Sequence, residues 1–128
     1  MKIYIAHSKS LDFKKELYQP IRQSSLNDKH TFILPHENSN ESFNSKDYLK
    51  NEADLMIAEV SKPAIGLGIE LCWADTYNVP IACIYKKGSK ISSSLNVVSK
   101  KFAEYPNTKE LISGIEKILN EMETSKSP

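Results

Sequence analysis

The chain has 128 residues, 40% of them hydrophobic, and its 17 Lys and Arg against 16 Asp and Glu give a formal net charge of +1. That length suits one domain with a single substantial core, and the interspersed charges exclude the basic surface that nucleic acid or an anionic membrane would require. No apolar run approaches the ~18 residues of a membrane span, and Met1 passes straight into a strand, so a soluble cytoplasmic protein without a leader is expected.

In chain order, Ile3-Tyr4-Ile5-Ala6 is a short run of β-formers suited to a central strand. His7-Ser8-Lys9-Ser10 follows as a loop, with Ser10 the expected N-cap of a helix carrying Phe13, Leu17, Tyr18 and Ile21, which Pro20 kinks or divides. Thr31 to Leu34 reads as a second strand, stopped by Pro35, and His36 to Ser45 as a loop without periodicity. A short helix from Lys46 to Glu52 leads into the near-continuous apolar strand Leu55 to Val60, the mark of a parallel strand buried on both faces.

A helix after Glu70 is apolar nearly all round through Trp73 and Ala74, so it lies in the core or under another subunit. Pro80 to Tyr85 is a fourth strand. Lys86 to Lys90 is a basic turn, Ser92-Ser93-Ser94 opens a weak helical segment, and Phe102 to Tyr105 is a short fifth strand. Leu111, Ile112, Ile115, Ile118, Leu119 and Met122 recur at helical spacing behind Thr108 as cap. Residues 1–122 then form a single domain and 123–128 a frayed tail. The alternation predicts a three-layer α/β fold of the flavodoxin or Rossmann-like kind, a parallel sheet of about five strands with helices on both faces. Ligands bind such sheets beyond the strands' carboxyl ends, where the loops after His7, His36, Ser61 and Lys86 fall.

The stretch Val60 to Ala74 organises the rest. It leaves a strand, passes Pro63 and two glycines, and enters a helix with Glu70 expected in its first turn. Such a Gly-rich entry lets backbone approach a ligand, and a carboxylate between Ile69, Leu71, Cys72 and Trp73 is costly unless used or paired. Taken alone, Glu70 reads as structural somewhat more readily than as catalytic, since the macrodipole favours an acid there by about 0.3–1 kcal/mol. Gly66-Leu67-Gly68 lacks the third glycine of a dinucleotide fingerprint. Cys72 and Cys83 read as small buried hydrophobes, and His7, His30 and His36 show no ligand spacing, so neither metal nor cofactor is expected.

Ala53-Asp54-Leu55-Met56-Ile57-Ala58-Glu59-Val60, the Pro63 to Glu70 turn and Leu71 to Ala74 together resemble the signature of the nucleoside 2-deoxyribosyltransferase family, which includes the 2'-deoxynucleoside 5'-phosphate N-hydrolases. Lys2 to Ser8 is similar to that family's first strand and loop. The resemblance implies cleavage or transfer at the N-glycosidic bond of a 2'-deoxynucleoside or its 5'-monophosphate, with Glu70 as nucleophile, kept ionised by the helix N-terminus, forming a covalent deoxyribosyl intermediate. It implies an acid just ahead of the Ala53-Asp54 strand; the counted position is Lys46, with the carboxylate next door at Asp47. Tyr4 would line the sugar pocket, and the His7-Ser8 loop, Lys9 and His36 the phosphate end. The turn holding Ala64, Gly66 and Gly68 would meet the substrate, and Ser93 or Ser94 would reach a neighbouring subunit's pocket in a homodimer.

The chain departs from the N-hydrolases at His7-Ser8 and Ser10, where they have Gly-Ser and a nearby Arg, and at Ala64, where they have serine. A free nucleoside therefore stays open as substrate, and so does a nucleotide-binding sensor that kept the pocket and lost the chemistry. A phospho-receiver module would need clustered acids where this chain has Ala6-His7-Ser8.

Overall fold

The computed structural model describes residues 1–38 and 43–125. In order they form β1 (Lys2–His7), a π-helical turn (Lys14–Tyr18), α1 (Gln19–Gln23), α2 (Leu26–Lys29), β2 (Thr31–Ile33), α3 (Ser45–Asn51), β3 (Leu55–Glu59), α4 (Ile65–Thr76), β4 (Ile81–Lys86), α5 (Leu95–Val98), β5 (Lys101–Tyr105) and α6 (Thr108–Ser125). The five strands pair in parallel in the order β2-β1-β3-β4-β5. This is the three-layer α/β architecture that the strand and helix alternation predicts.

Alternation along each buried strand builds two cores. Ile3, Ile5, Leu55, Ile57, Ala82 and Ile84 face Leu17, Tyr18 and Ile21 and the α6 stripe Leu111, Ile115, Ile118 and Leu119. Tyr4, Ala6, Met56, Ala58, Ile81 and Cys83 face Tyr48 and Leu49 of α3 and Leu67, Leu71 and Ala74 of α4. Each layer hides apolar surface at about 25 cal/mol per Å², which holds helices as short as α3 that would not stand alone. Strand order reverses between β1 and β3, so the switch lies beside the paired ends His7 and Glu59.

Several local expectations are corrected. Ser10 caps no helix: its N–H and hydroxyl both turn to Ser8 Oγ, at 3.1 and 2.7 Å. Pro20 lacks the N–H that would continue the α-helical ladder, and the chain widens just before it, with the Gln19 N–H reaching the Lys14 carbonyl. Asn107, not Thr108, caps α6, its Oδ1 accepting the Glu110 N–H at 3.0 Å. Helix α6 runs on to Ser125, past Glu123 where fraying was expected. Part of the His36 to Ser45 loop, residues 39–42, and the end of the tail, 126–128, lie outside the described residues.

The carboxyl ends of β3, β4 and β5 are tied by one fully buried acid. Glu59 accepts from the Ser61 N–H at 2.6 Å, from the Ser61 hydroxyl at 2.9 Å and from the Tyr105 hydroxyl. Ser61 Oγ in turn accepts the Lys86 N–H at 2.7 Å. Three donors on one buried carboxylate offset its desolvation and fix the strand ends that carry the neighbouring loops.

Candidate active site

Glu70 stands deeper in α4 than the sequence suggests. Ala64 is passed in extended form, at φ −157°, as the N-cap, so both glycines fall inside the helix and Glu70 in its second turn. The macrodipole fades within the first turn. Burial, not the helix end, therefore sets the acidity of Glu70, pushing its carboxyl above the ordinary range, while the hydrogen bond from Tyr4, the nearby Ser45 hydroxyl and the Lys9 cation pull it back.

Three elements meet at that carboxylate. Tyr4, fully buried on β1, donates its hydroxyl to Glu70 Oε2, and the phenol oxygen lies 2.5 Å from Ser45 Oγ at the start of α3. Burial and the Glu70 charge push the Tyr4 hydroxyl well above its usual pKa, so it remains a donor. Phe43 and Tyr48 wall the group, their rings 6.2 and 6.1 Å from that of Tyr4. Among the described residues, no salt bridge takes Glu70. The result is a half-buried carboxylate, oriented by a phenol and free of a cation lock.

Asp47, the expected acid, is elsewhere. It is exposed, accepts from the Asn44 amide at 2.8 Å and gives its N–H to Asn44 Oδ1 at 3.3 Å, so it completes a helix cap. Helix phase explains this: α3 buries Ser45, Tyr48 and Leu49, which turns Lys46 and Asp47 outward. Ser45 is the residue that sequence reasoning missed, although its position three and four before the apolar pair Tyr48-Leu49 marks the inward face.

His7 is buried and its ring is fully engaged. Nδ1–H donates to the Ser8 carbonyl at 3.0 Å, which leaves Nε2 to accept from the Tyr18 hydroxyl at 2.6 Å, and Phe13 stacks on the ring at 4.5 Å. The ring therefore braces the loop from within, and the part expected of the His7-Ser8 loop, holding a phosphate, would fall to its backbone N–H groups. Ser8 is also buried, its hydroxyl paired with Ser10. His36 gives its N–H to Tyr18 at 3.2 Å, sits 5.8 Å from His7 ring to ring, and keeps a buried Nδ1 without a hydrogen-bond partner. Burial, then Lys9, holds the His36 ring below its usual pKa.

On another flank of α4 a groove of about 530 Å³ runs between that helix and the segment before α5. Ala64 and Gly68 line it on one side and Ser94 with Ile91 on the other, whereas Gly66 and Ser93 are exposed outside its lining. Glu70 is not part of this groove. Its largely apolar walls are continuous with an exposed apolar stripe at Ile65, Ile69 and Cys72. Among the described residues, no His, Cys, Asp and Glu side chains gather as a metal ligand set, and no helix is long and apolar enough to cross a membrane.

No family model matches the chain. Curated relatives do: a protein of Syntrophotalea carbinolica named "Putative 2'-deoxynucleoside 5'-phosphate N-hydrolase 1" is 46% identical over 46 residues, 36% of this chain and 32% of that protein. One of the same name from Methanococcoides burtonii is 41% identical over 44 residues, 34% of this chain and 36% of its own length. The chain thus matches about a third of the length of these relatives. Among solved structures, a CMP N-glycosidase of Clostridium botulinum aligns over 91% of this chain and 99% of its own, with a TM-score of 0.62 and 19% identity, a likeness of fold. The resemblance to the nucleoside 2-deoxyribosyltransferase family and its N-hydrolases, read first from the β3–α4 signature, is borne out by these relatives.

Proposed function

We propose, from this kinship, that the chain is an N-glycosidase that cleaves or exchanges the base–sugar bond of a 2'-deoxynucleoside or its 5'-monophosphate. The observation that carries the reading is the Glu70 carboxylate, half-buried, held by the Tyr4 hydroxyl and paired with no cation among the described residues. A protein keeps a half-buried carboxylate without a cation at a cost that one hydroxyl only partly offsets, and functional sites are where such costs are found.

In this reading one Glu70 oxygen attacks C1' as the C1'–N bond breaks, and the base leaves with the bonding pair and takes a proton from solvent. The glycosyl ester is then opened by water, which gives the free sugar, or by a second base, which gives a new nucleoside; both routes are double displacements. A 5'-phosphate would be met by Lys9 and His36 at the loops after β1 and β2. Asp47 takes no part as it is placed, and its distance from the Glu70, Tyr4 and Ser45 group favours a second reading, a nucleotide-binding protein without turnover. Incubation with deoxynucleosides and their monophosphates, with and without a second base, separates the two. Release of free base or formation of an exchanged nucleoside is expected; tight binding without either product would establish the second reading instead.

The apolar stripe of α4 belongs to the same proposal. Ile65 is 85% and Val97 84% exposed, on either side of the groove that holds Ser94, and such a surface on a small domain calls for a cover. A second copy of the chain is the cover we expect, with Ser93 or Ser94 carried toward its partner's site. Light scattering should give twice the 14.5 kDa chain mass, and Ile65→Asp with Val97→Asp should return the monomer. A wild-type monomer at micromolar concentration would refute the assembly.

A further inference from the structure

We propose that Ser45 is the positioning residue of the Glu70 site: its hydroxyl hydrogen, given to the Tyr4 phenol oxygen at 2.5 Å, commits the phenol's single hydrogen to Glu70 and holds the carboxylate in one orientation. The assignment follows from counting hydrogens. An ionised carboxylate only accepts, so the Tyr4 hydrogen goes to Glu70, and the bond between Tyr4 and Ser45 must use the serine's hydrogen. At 3.5 Å the Phe43 carbonyl competes poorly for that hydrogen, and any share of it that reaches the Glu70 carboxylate acts in the same direction.

The backbone supports this use of Ser45. Asn44 caps α3 and starts it so that position 45 faces the sheet, and Ser45 is buried although it is the first helical residue. A buried hydroxyl there carries a desolvation cost that its bond to Tyr4 offsets, and a hydroxyl chain ending on a carboxylate strengthens each bond in turn. The titratable groups acting on Glu70 are Tyr4 from β1, Lys9 from the loop after it and Tyr18 from the π-helical turn; α3 contributes the Ser45 hydroxyl.

This inference rests on Glu70 being the reacting carboxylate, yet it can be tested without turnover. Carbon-13 NMR of the Glu70 carboxyl in the free protein reads its titration midpoint directly. Ser45→Ala should move that midpoint upward, Ser45→Cys, with a weak donor of similar size, should do the same, and Ser45→Thr should leave it in place. In the base-release assay Ser45→Ala should lower kcat about tenfold with KM within about twofold, and shift the acid limb of the pH profile upward. An unmoved Glu70 midpoint in Ser45→Ala and Ser45→Cys, whatever their melting temperatures, would overturn the proposal. If the wild type turns over no nucleoside, the glycosidase reading fails while the NMR titration still decides the role of Ser45.

Discussion

Glu70→Gln is expected to abolish base release, a loss on the order of 10³-fold or more in kcat/KM, and at the same time to raise the melting temperature. The loss follows from chemistry: an amide oxygen does not form a glycosyl ester at C1' as a carboxylate does. The gain follows from burial, which pushes the Glu70 carboxyl up. A carboxyl whose folded value exceeds its unfolded one binds its proton more tightly in the fold. Stability therefore falls as pH rises from the ordinary carboxylate range through the raised value. Gln keeps the shape and an acceptor for the Tyr4 hydroxyl while removing that charge. Activity, which needs the ionised form, should rise through the same pH window in which wild-type stability falls. Thermal unfolding and kcat/KM profiles of the two proteins check both limbs; a Gln variant that is less stable above that window would place the acid in a purely structural role.

Lowering pH from 6.5 to 4 is expected to remove about 3 kcal/mol of stability through His7 alone. Burial lowers its pKa from 6.5 to about 4, and its tautomer is fixed because Nδ1–H serves the Ser8 carbonyl while Nε2 accepts from Tyr18. Between those two values the unfolded chain takes up a proton that the folded chain refuses. The stabilisation is thus complete above about pH 6.5, is lost progressively down to about pH 4, and does not change further below it. Carboxylates add their own acid loss, so the measurement is the difference between wild type and His7→Asn in urea unfolding across the window. The wild-type curve should fall more steeply by that amount. Parallel curves would mean that the imidazole is protonated in the fold.

The parts of this molecule that read directly from sequence are those in which burial and periodicity agree. Leu55 to Ala58 and Ile81 to Ile84 are apolar at consecutive positions because both strand faces are covered, and the Leu111 to Leu119 stripe keeps helical period because one face is covered. What failed to read depended on a phase shift of one residue or on where an element starts. Counting to an acid ahead of β3 landed on Lys46, with Asp47 beside it, whereas the Tyr48-Leu49 pair sets the phase of α3 and turns Ser45 inward. Two glycines after Pro63 looked like a turn, but the extended Ala64 let the helix begin at Ile65, and this carried Glu70 from the helix end into a low-dielectric setting. The buried Glu59 knot was hidden because its partner Tyr105 lies 46 positions away along the chain, a distance no local pattern spans.

Base release run in water containing methanol, followed by proton NMR of the methyl 2-deoxyriboside formed, tests the attack of Glu70 on C1' most directly. Two displacements return the sugar to the configuration it began with, so the β-anomer is the product expected here. The α-anomer would mean that solvent strikes C1' in a single step and that the carboxylate never bonds to the sugar.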